Sequence, residues 1–370
     1  MSRLFLARPH CSRMACFASV ALLLLLPMRA RELPAQPSRQ VDDGTIIATL
    51  PCRLHSVAYD TYLQEIASAK EKAIAALDYS FQRMRRPSRG DSLEFQRSRD
   101  DEASVQAMPR ERYELLFRSG RYQCERFTYR SDGLAVVGFR YSGAAYPGGK
   151  HPVIVYLRGG NREFGKLDEP WMRRFRAFLD SGYVVIGTQY RGNDGGDGRE
   201  ELGGADVRDV TNLLPLIRRD ATLDTANVYL FGASRGGMMA YVAIRNGMRV
   251  NAAVVQAGPT RLAQQERLRP GMEAEVYAQV VPGWPKTRAA FYRDRSAIYW
   301  ADRLTVPLLI VHGTKDWRVD PGDALAITSK LLAAGQRVEL VMYEGDDHYL
   351  IDHRDDFDRR MFAWFAKFRR

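Results

Sequence analysis

Val228-Tyr229-Leu230-Phe231-Gly232-Ala233-Ser234-Arg235-Gly236-Gly237, running on into Met238-Met239-Ala240-Tyr241-Val242-Ala243-Ile244-Arg245, decides how the chain is read. Four β-forming residues enter a Gly-x-Ser-x-Gly turn and an apolar, helix-forming run leaves it, which is the strand–turn–helix setting of a nucleophile elbow. A serine held there in strained backbone geometry needs small neighbours two places before and two after. Gly232 and Gly236 supply them, and Gly237 lets the helix pack close to the strand. Ser234 then stands at a helix N-terminus, where unpaired N–H groups and the helix dipole favour negative charge. The bare pattern also occurs in loops; the flanking strand and helix are what point to Ser234 as a nucleophile.

Outward from this turn, short apolar runs alternate with helical patterns. The runs are 153–157, 183–188, 228–231, 252–256, 308–311 and 338–343, with helices expected near 170–180, 204–219, 236–246, 321–335 and 354–368. Continuous apolar strands separated by helices predict a mostly parallel sheet covered on both faces. Before it, 125–129 and 134–141 flank Asp132-Gly133, a β-hairpin signal. A hairpin followed by such a sheet, with Ser234 after its third parallel strand, is the order of an α/β-hydrolase fold. Residues 259–300 interrupt the alternation and carry Trp284, Phe291, Tyr292 and Trp300. They read either as a lid-like insertion over the carboxyl ends of the strands or as surface helices with core-facing aromatics.

A nucleophilic serine needs a base and an orienting acid, because the hydroxyl is a weak nucleophile at its free pKa. Beyond the elbow, Leu308-Leu-Ile-Val-His312-Gly-Thr-Lys-Asp316 places Asp316 just after an apolar strand. Val338-Glu-Leu-Val-Met-Tyr343-Glu-Gly-Asp-Asp-His348 places His348 just after the last one. The expected catalytic set is Ser234, Asp316 and His348. Among the six histidines, His10 lies in the leader, His55 in the front segment and His151 before the first parallel strand. His312 reads as holding the Asp316 turn, and His353, the closest competitor, opens the final helix. Asp320, the rival acid, precedes Pro321 and reads as a helix start. Oxyanion donors are expected from the backbone of Arg235 and from Arg158-Gly159-Gly160-Asn161, where paired glycines let the backbone approach a ligand; a plain glycine turn is the other reading of that stretch.

On Gly232-Ala-Ser234-Arg-Gly-Gly237, His312-Gly-Thr-Lys-Asp316-Trp-Arg-Val319 and Tyr343-Glu-Gly-Asp-Asp-His348 the chain resembles the prolyl oligopeptidase family of α/β-hydrolases. Ser131-Asp-Gly-Leu134 with Val137-Gly-Phe139, and Gln189-Tyr-Arg191-Gly192, match further family segments, so the resemblance spans roughly 125–370. It implies acyl transfer from peptides by Ser234, His348 and Asp316 without a cofactor. Two departures bear on specificity. Large members carry an N-terminal β-propeller, for which the front of this sequence is too short. Several members also place an oxyanion-stabilising tyrosine where Arg158 stands; either its guanidinium takes over that role or backbone N–H groups act alone. Small acyl esters are therefore the alternative substrates, and a binding protein with little turnover is a third reading.

The front of the chain is of a different kind. Arg3, Arg8 and Arg13 precede the apolar run 15–27, with small residues beyond it, which reads as a signal peptide over 1–30 and an exported (periplasmic or secreted) protein; an uncleaved N-terminal anchor is the alternative. Residues 31–124 read as a linker and a helical segment, with helical spacing from 57 to 84 and a polar loop or short helices over 85–110. That segment could form a small helical layer or lid before a catalytic domain over 125–370. Loss of the leader removes Cys11 and Cys16 and leaves Cys52 and Cys124, either joined as a disulfide or buried as thiols.

With 55 basic against 44 acidic residues the net charge is +11, but the arginines are dispersed, which argues against a nucleic-acid module and allows weak attraction to an anionic surface. No Cys/His spacing fits zinc. The loop from Arg191 to Glu201 is acidic and glycine-rich without EF-hand spacing, and a stiff turn is the better reading than a metal site.

Overall fold

The computed structural model describes residues 42–82, 89–104, 106–143 and 149–370. The expected signal segment and most of the linker lie outside them. Val41–Arg370 forms one compact unit.

Among the described residues nine strands make one sheet in the order β1-β2-β3-β5-β4-β6-β7-β8-β9. They are β1 (Ile46–Pro51), β2 (Tyr122–Ser131), β3 (Leu134–Gly143), β4 (His151–Leu157), β5 (Val184–Thr188), β6 (Leu223–Ala233), β7 (Ala252–Gln256), β8 (Leu308–Gly313) and β9 (Val338–Tyr343). β2 and β3 pair antiparallel across the Asp132-Gly133 turn, whose two residues sit at φ +54° and +80°. Those are the positive values a two-residue hairpin turn demands. Every pairing among β4 to β9 is parallel, and β5 also pairs antiparallel with β3. This is the α/β-hydrolase fold, with helices on both faces, as the alternation predicts.

The central strands read as uninterrupted apolar runs because both of their faces are covered. Val153, Val155, Leu230, Val255 and Ile310 join one core, and Ile154, Tyr156, Phe231, Val254 and Val311 join the other. Each such side chain contributes about 1.5–3 kcal/mol by leaving water. The first core packs against the helix Arg235–Arg245, which is buried along nearly its whole length. The second packs against Trp171–Asp180 and Arg354–Lys367.

The front segment adds one element to the expected helical layer. An extra edge strand, β1, pairs antiparallel with β2, and Cys52 just beyond it is disulfide-bonded to Cys124 of β2. All six residues of β1 are solvent-exposed, so hydrophobic alternation carried no signal there. The stretch expected as a polar loop or short helices holds one helix, Arg89–Ser104, laid along Tyr59–Gln82. Phe81 stacks on Phe95, and Arg99 pairs with Asp78. Arg97 lies over the ring of Trp317, the neighbour of Asp316.

Candidate active site

Ser234 occupies the bend between β6 and the helix Arg235–Arg245 with φ 55° and ψ −124°, a conformation costing roughly 1–3 kcal/mol for a residue with a side chain. The surroundings enforce it. The Ser234 N–H donates to the carbonyl of Gln256 on β7, and the Ser234 carbonyl accepts from Gly237 and Met238. Gly236 must lack a side chain, because a Cβ there would lie 1.9 Å from the carbonyl oxygen of Leu157. The bend therefore lifts the serine clear of the sheet and leaves it partly exposed.

The other two residues come from the loops after β8 and β9. The Nδ1–H of His348 donates to Oδ2 of Asp316 at 2.7 Å; the acceptor is an ionised carboxylate, so the proton is on Nδ1 and Nε2 carries the free lone pair. Gln256 fixes the histidine's backbone by donating from Nε2 to its carbonyl. Oδ1 of Asp316 accepts the N–H groups of Arg318 and Val319. Burial alone would raise the pKa of Asp316, but the charge and hydrogen bonds of His348 and His312 hold it well below the carboxylate range.

His312 does more than brace its turn. Its Nε2 hydrogen-bonds the carbonyl of Val319 at 3.1 Å and lies 2.9 Å from Oδ2 of Asp316, the same carboxylate oxygen that accepts from His348. The competitors are engaged elsewhere. His353 bonds to Asp346 and stacks on Tyr343. Asp320 accepts from Arg261 and from the N–H of Gly322.

The ionised Asp316 makes stability depend on pH with a definite sign. Its folded pKa lies below its unfolded value near 4, so its contribution is present above about pH 4 and is lost as pH falls through the folded value. Asp316→Asn is expected to cost about 3 kcal/mol at pH 7. The gap in urea midpoint between it and the native protein should narrow at pH 3; a gap that stays constant would show that the carboxylate is not held in this way.

The loop after β4 passes directly beside the serine. A Cβ on Gly159 would stand 3.2 Å from Cβ of Ser234, tighter than an ordinary contact, so the glycine lets the backbone run close beside the serine. Gly160 follows at φ +65°. The Arg158 guanidinium, expected as one possible oxyanion donor, is not available for that role. It is fully buried beneath the loop and donates to the carbonyls of Gln189, Gly159, Phe164 and Arg162. The reason is steric and electrostatic: the side chain leaves the strand end on the core side, where several carbonyls would otherwise lack donors.

Beside it lies a cluster that sequence reasoning missed. Arg235, buried, pairs with Glu200 and Asp206 at 2.7 Å each and donates to the carbonyl of Gly160. Glu200 in turn accepts from the N–H of Arg162 and lies 3.7 Å from the Arg158 guanidinium. Tyr190 lies under both arginines, 4.7 Å from that of Arg235, and donates to the carbonyl of Arg158. A charged side chain immediately after the elbow serine was the available signal, since burial there demands an acidic partner.

The acidic loop over 191–201 is a stiff turn whose carboxylates meet protein donors. Asp194 faces Lys166 and Gln189, Asp197 accepts from Ala135, and Glu201 from Ala205.

Ser234 and His348 open into a cavity of about 560 Å³ also lined by Gly159, Gly160 and Arg235. Residues 259–300 contribute both to the cavity lining and to a small cluster of their own. Leu262, Met272, Val276 and Tyr277 line the cavity, while Trp284, Phe291 and Tyr292 pack with Tyr277 in a small core of their own. Among the described residues no group of acidic, histidine or cysteine side chains is arranged to hold a metal ion, and no helix is long and apolar enough to cross a membrane.

Comparison with known proteins agrees with this architecture. The uncharacterized peptidase YtmA of Bacillus subtilis is 29% identical over 222 residues, covering 60% of this chain and 84% of that protein. Dipeptidyl-peptidase 5 of Porphyromonas gingivalis is 24% identical over 59% of this chain, which spans only 34% of its length. The fold is similar to that of uncomplexed Pyrococcus horikoshii acylaminoacyl peptidase, with a TM-score of 0.59 at 21% identity, covering 69% of this chain and 43% of that one. The model of the prolyl oligopeptidase family matches residues 171–369, more than half of the sequence and all three loops just described from the elbow onward, and the chain therefore belongs to the prolyl oligopeptidase family of serine peptidases.

Proposed function

We propose that the protein cleaves peptide bonds of small substrates through an acyl-enzyme, with Ser234 as nucleophile, His348 as general base and acid, and Asp316 as the orienting acid. The observation that carries this reading is the 2.7 Å bond from His348 Nδ1 to buried Asp316, on a histidine that shares its cavity with a strained, partly exposed serine. Ser234 Oγ attacks the scissile carbonyl carbon as its proton passes to His348 Nε2. The backbone N–H of Arg235, first in its helix and so without an intrahelical acceptor, receives the oxyanion together with the loop at Gly159 and Gly160. Collapse breaks the C–N bond, and the amine leaves with the proton from His348. Water, deprotonated by the same histidine, then releases the acyl group. Asp316 stabilises the imidazolium in both halves.

Peptides are the favoured substrates because the relatives are named as peptidases. Export is part of the proposal, supported by the basic and apolar start of the sequence and by the Cys52–Cys124 disulfide. So is a catalytic domain from about residue 125, with the front segment as an accessory layer. The test is kcat/KM on amides and esters sharing one acyl group. Amide turnover within a few orders of magnitude of the ester rate is expected; ester turnover alone would replace the peptidase reading with an esterase one.

A further inference from the structure

One wall of the cavity is left unused by the acyl-transfer chemistry. Tyr156, Trp171, Arg174, Phe231 and Arg354 form it, from β4, β6 and the helices Trp171–Asp180 and Arg354–Lys367. Its two arginines are differently placed. Arg174 is neutralised by Asp358, 2.9 Å away, and lies against the rings of Phe178 and Phe231. Arg354 makes no ion pair with a described carboxylate. One of its terminal nitrogens donates to the carbonyl of Tyr349, and the other, Nη1, is buried without a hydrogen-bond partner. Burial, and then the charge of Arg174, push its pKa down to about 10.

A guanidinium held in that state lacks the anion its fork is shaped to bind. An unpaired buried donor costs about 1–3 kcal/mol, and more when charged, and Arg pairs with carboxylates through two parallel N–H bonds. The rest of the lining points the same way. Among the lining residues Asp168 is the one carboxylate, and Arg174 and Arg235 are held by acids outside the lining. Arg354 is therefore the arginine of this wall left without a carboxylate partner, and the aromatic side chains around it strengthen its field.

We propose that this wall binds a carboxylate of the substrate, received by Arg354 with Arg174 behind it. The inference rests on the serine-peptidase reading and narrows it to short acidic peptides. Two sources share the chemistry: the free C-terminal carboxylate of a short leaving peptide, and an acidic side chain on the acyl residue.

The experiment compares matched pairs. One pair differs only in a C-terminal acid against its amide on the leaving peptide; the other has Glu against Gln at the acyl residue. In one of the two, the native protein should favour the carboxylate about ten- to a hundredfold in kcat/KM. Arg354→Met should bring that ratio close to one, and Arg354→Lys should keep part of it. Labelling of Ser234 by a neutral phosphonate reports that each variant is folded with a reactive serine. Calorimetric binding of the same peptides to the Ser234→Ala protein repeats the comparison without turnover. Ratios near one for the native protein in both pairs, or a preference that survives in the folded Arg354→Met variant, would overturn the proposal. A carboxylate preference in binding, with neither turnover nor phosphonate labelling of the native protein, would leave this site standing and remove the serine-peptidase reading instead.

Discussion

Replacing Ser234 by alanine is expected to lower kcat on amide substrates by on the order of 10⁴-fold or more and to abolish labelling by a phosphonate probe. His348→Ala should cost a similar factor, and the double variant should fall no further than the worse single one. Groups that act on one proton in one step are not additive, whereas two independently helpful residues would multiply their losses. The fold should survive both changes. Ser234 makes its hydrogen bonds to the sheet and helix through its backbone, so alanine keeps them all. Ser234→Gly goes further: at φ 55° a residue without Cβ is relieved of strain, and stability should rise by about 1 kcal/mol while activity is lost. A rise in urea midpoint with loss of turnover would identify the strain as held for catalysis. Persistent labelling of the Ser234→Ala protein would sink the assignment of the nucleophile outright.

Much of this site can be read from sequence because its parts obey local rules. A buried parallel strand announces itself as a short apolar run, and a loop residue that follows such a run stands at the carboxyl edge of the sheet. Asp316 after β8 and His348 after β9 needed no more than that to be brought to one edge, and the structure brings them within a hydrogen bond of each other. The glycines flanking Ser234 are legible for the same reason, since a close backbone approach leaves room for nothing larger. What stayed hidden depends on direction and on partners distant in sequence. Arg158 sits at the expected place beside the serine, yet its side chain turns inward under the loop because carbonyls there require donors, and no periodicity reports that choice. The edge strand β1 is exposed along its whole length, so its apolar residues show no alternation with a buried face, and Glu200 and Asp206 reach Arg235 across a loop whose carboxylates read equally well as surface charge.

That hidden cluster carries the second large effect. Arg235 is buried with Glu200 and Asp206, and its guanidinium also holds the carbonyl of Gly160, so one side chain ties the elbow to the loop that passes beside Ser234. Arg235→Met strands two buried carboxylates, of which Glu200 keeps only the distant Arg158 guanidinium and the N–H of Arg162. Breaking a buried ion pair from one side costs about 3–5 kcal/mol, and urea denaturation should register a loss of that size. Releasing Gly160 should also loosen the loop. Loss of one oxyanion donor lowers kcat by about 10²–10³-fold, so a donor that is displaced rather than removed should cost about 10- to 100-fold in kcat with a smaller change in KM. The triple variant Arg235→Met, Glu200→Gln, Asp206→Asn separates the two effects. Neutralising the stranded carboxylates should restore part of the stability, because no buried charge remains unpaired, yet kcat should stay low, because nothing holds the Gly160 carbonyl. Arg235→Lys keeps the charge without the planar fork that reaches three acceptors at once, and should fall between the native protein and Arg235→Met in both measurements. If kcat instead recovered in step with stability, the arginine would serve the fold alone. If Arg235→Met were as stable and as active as the native protein within twofold, the buried cluster would have no part in positioning the oxyanion loop.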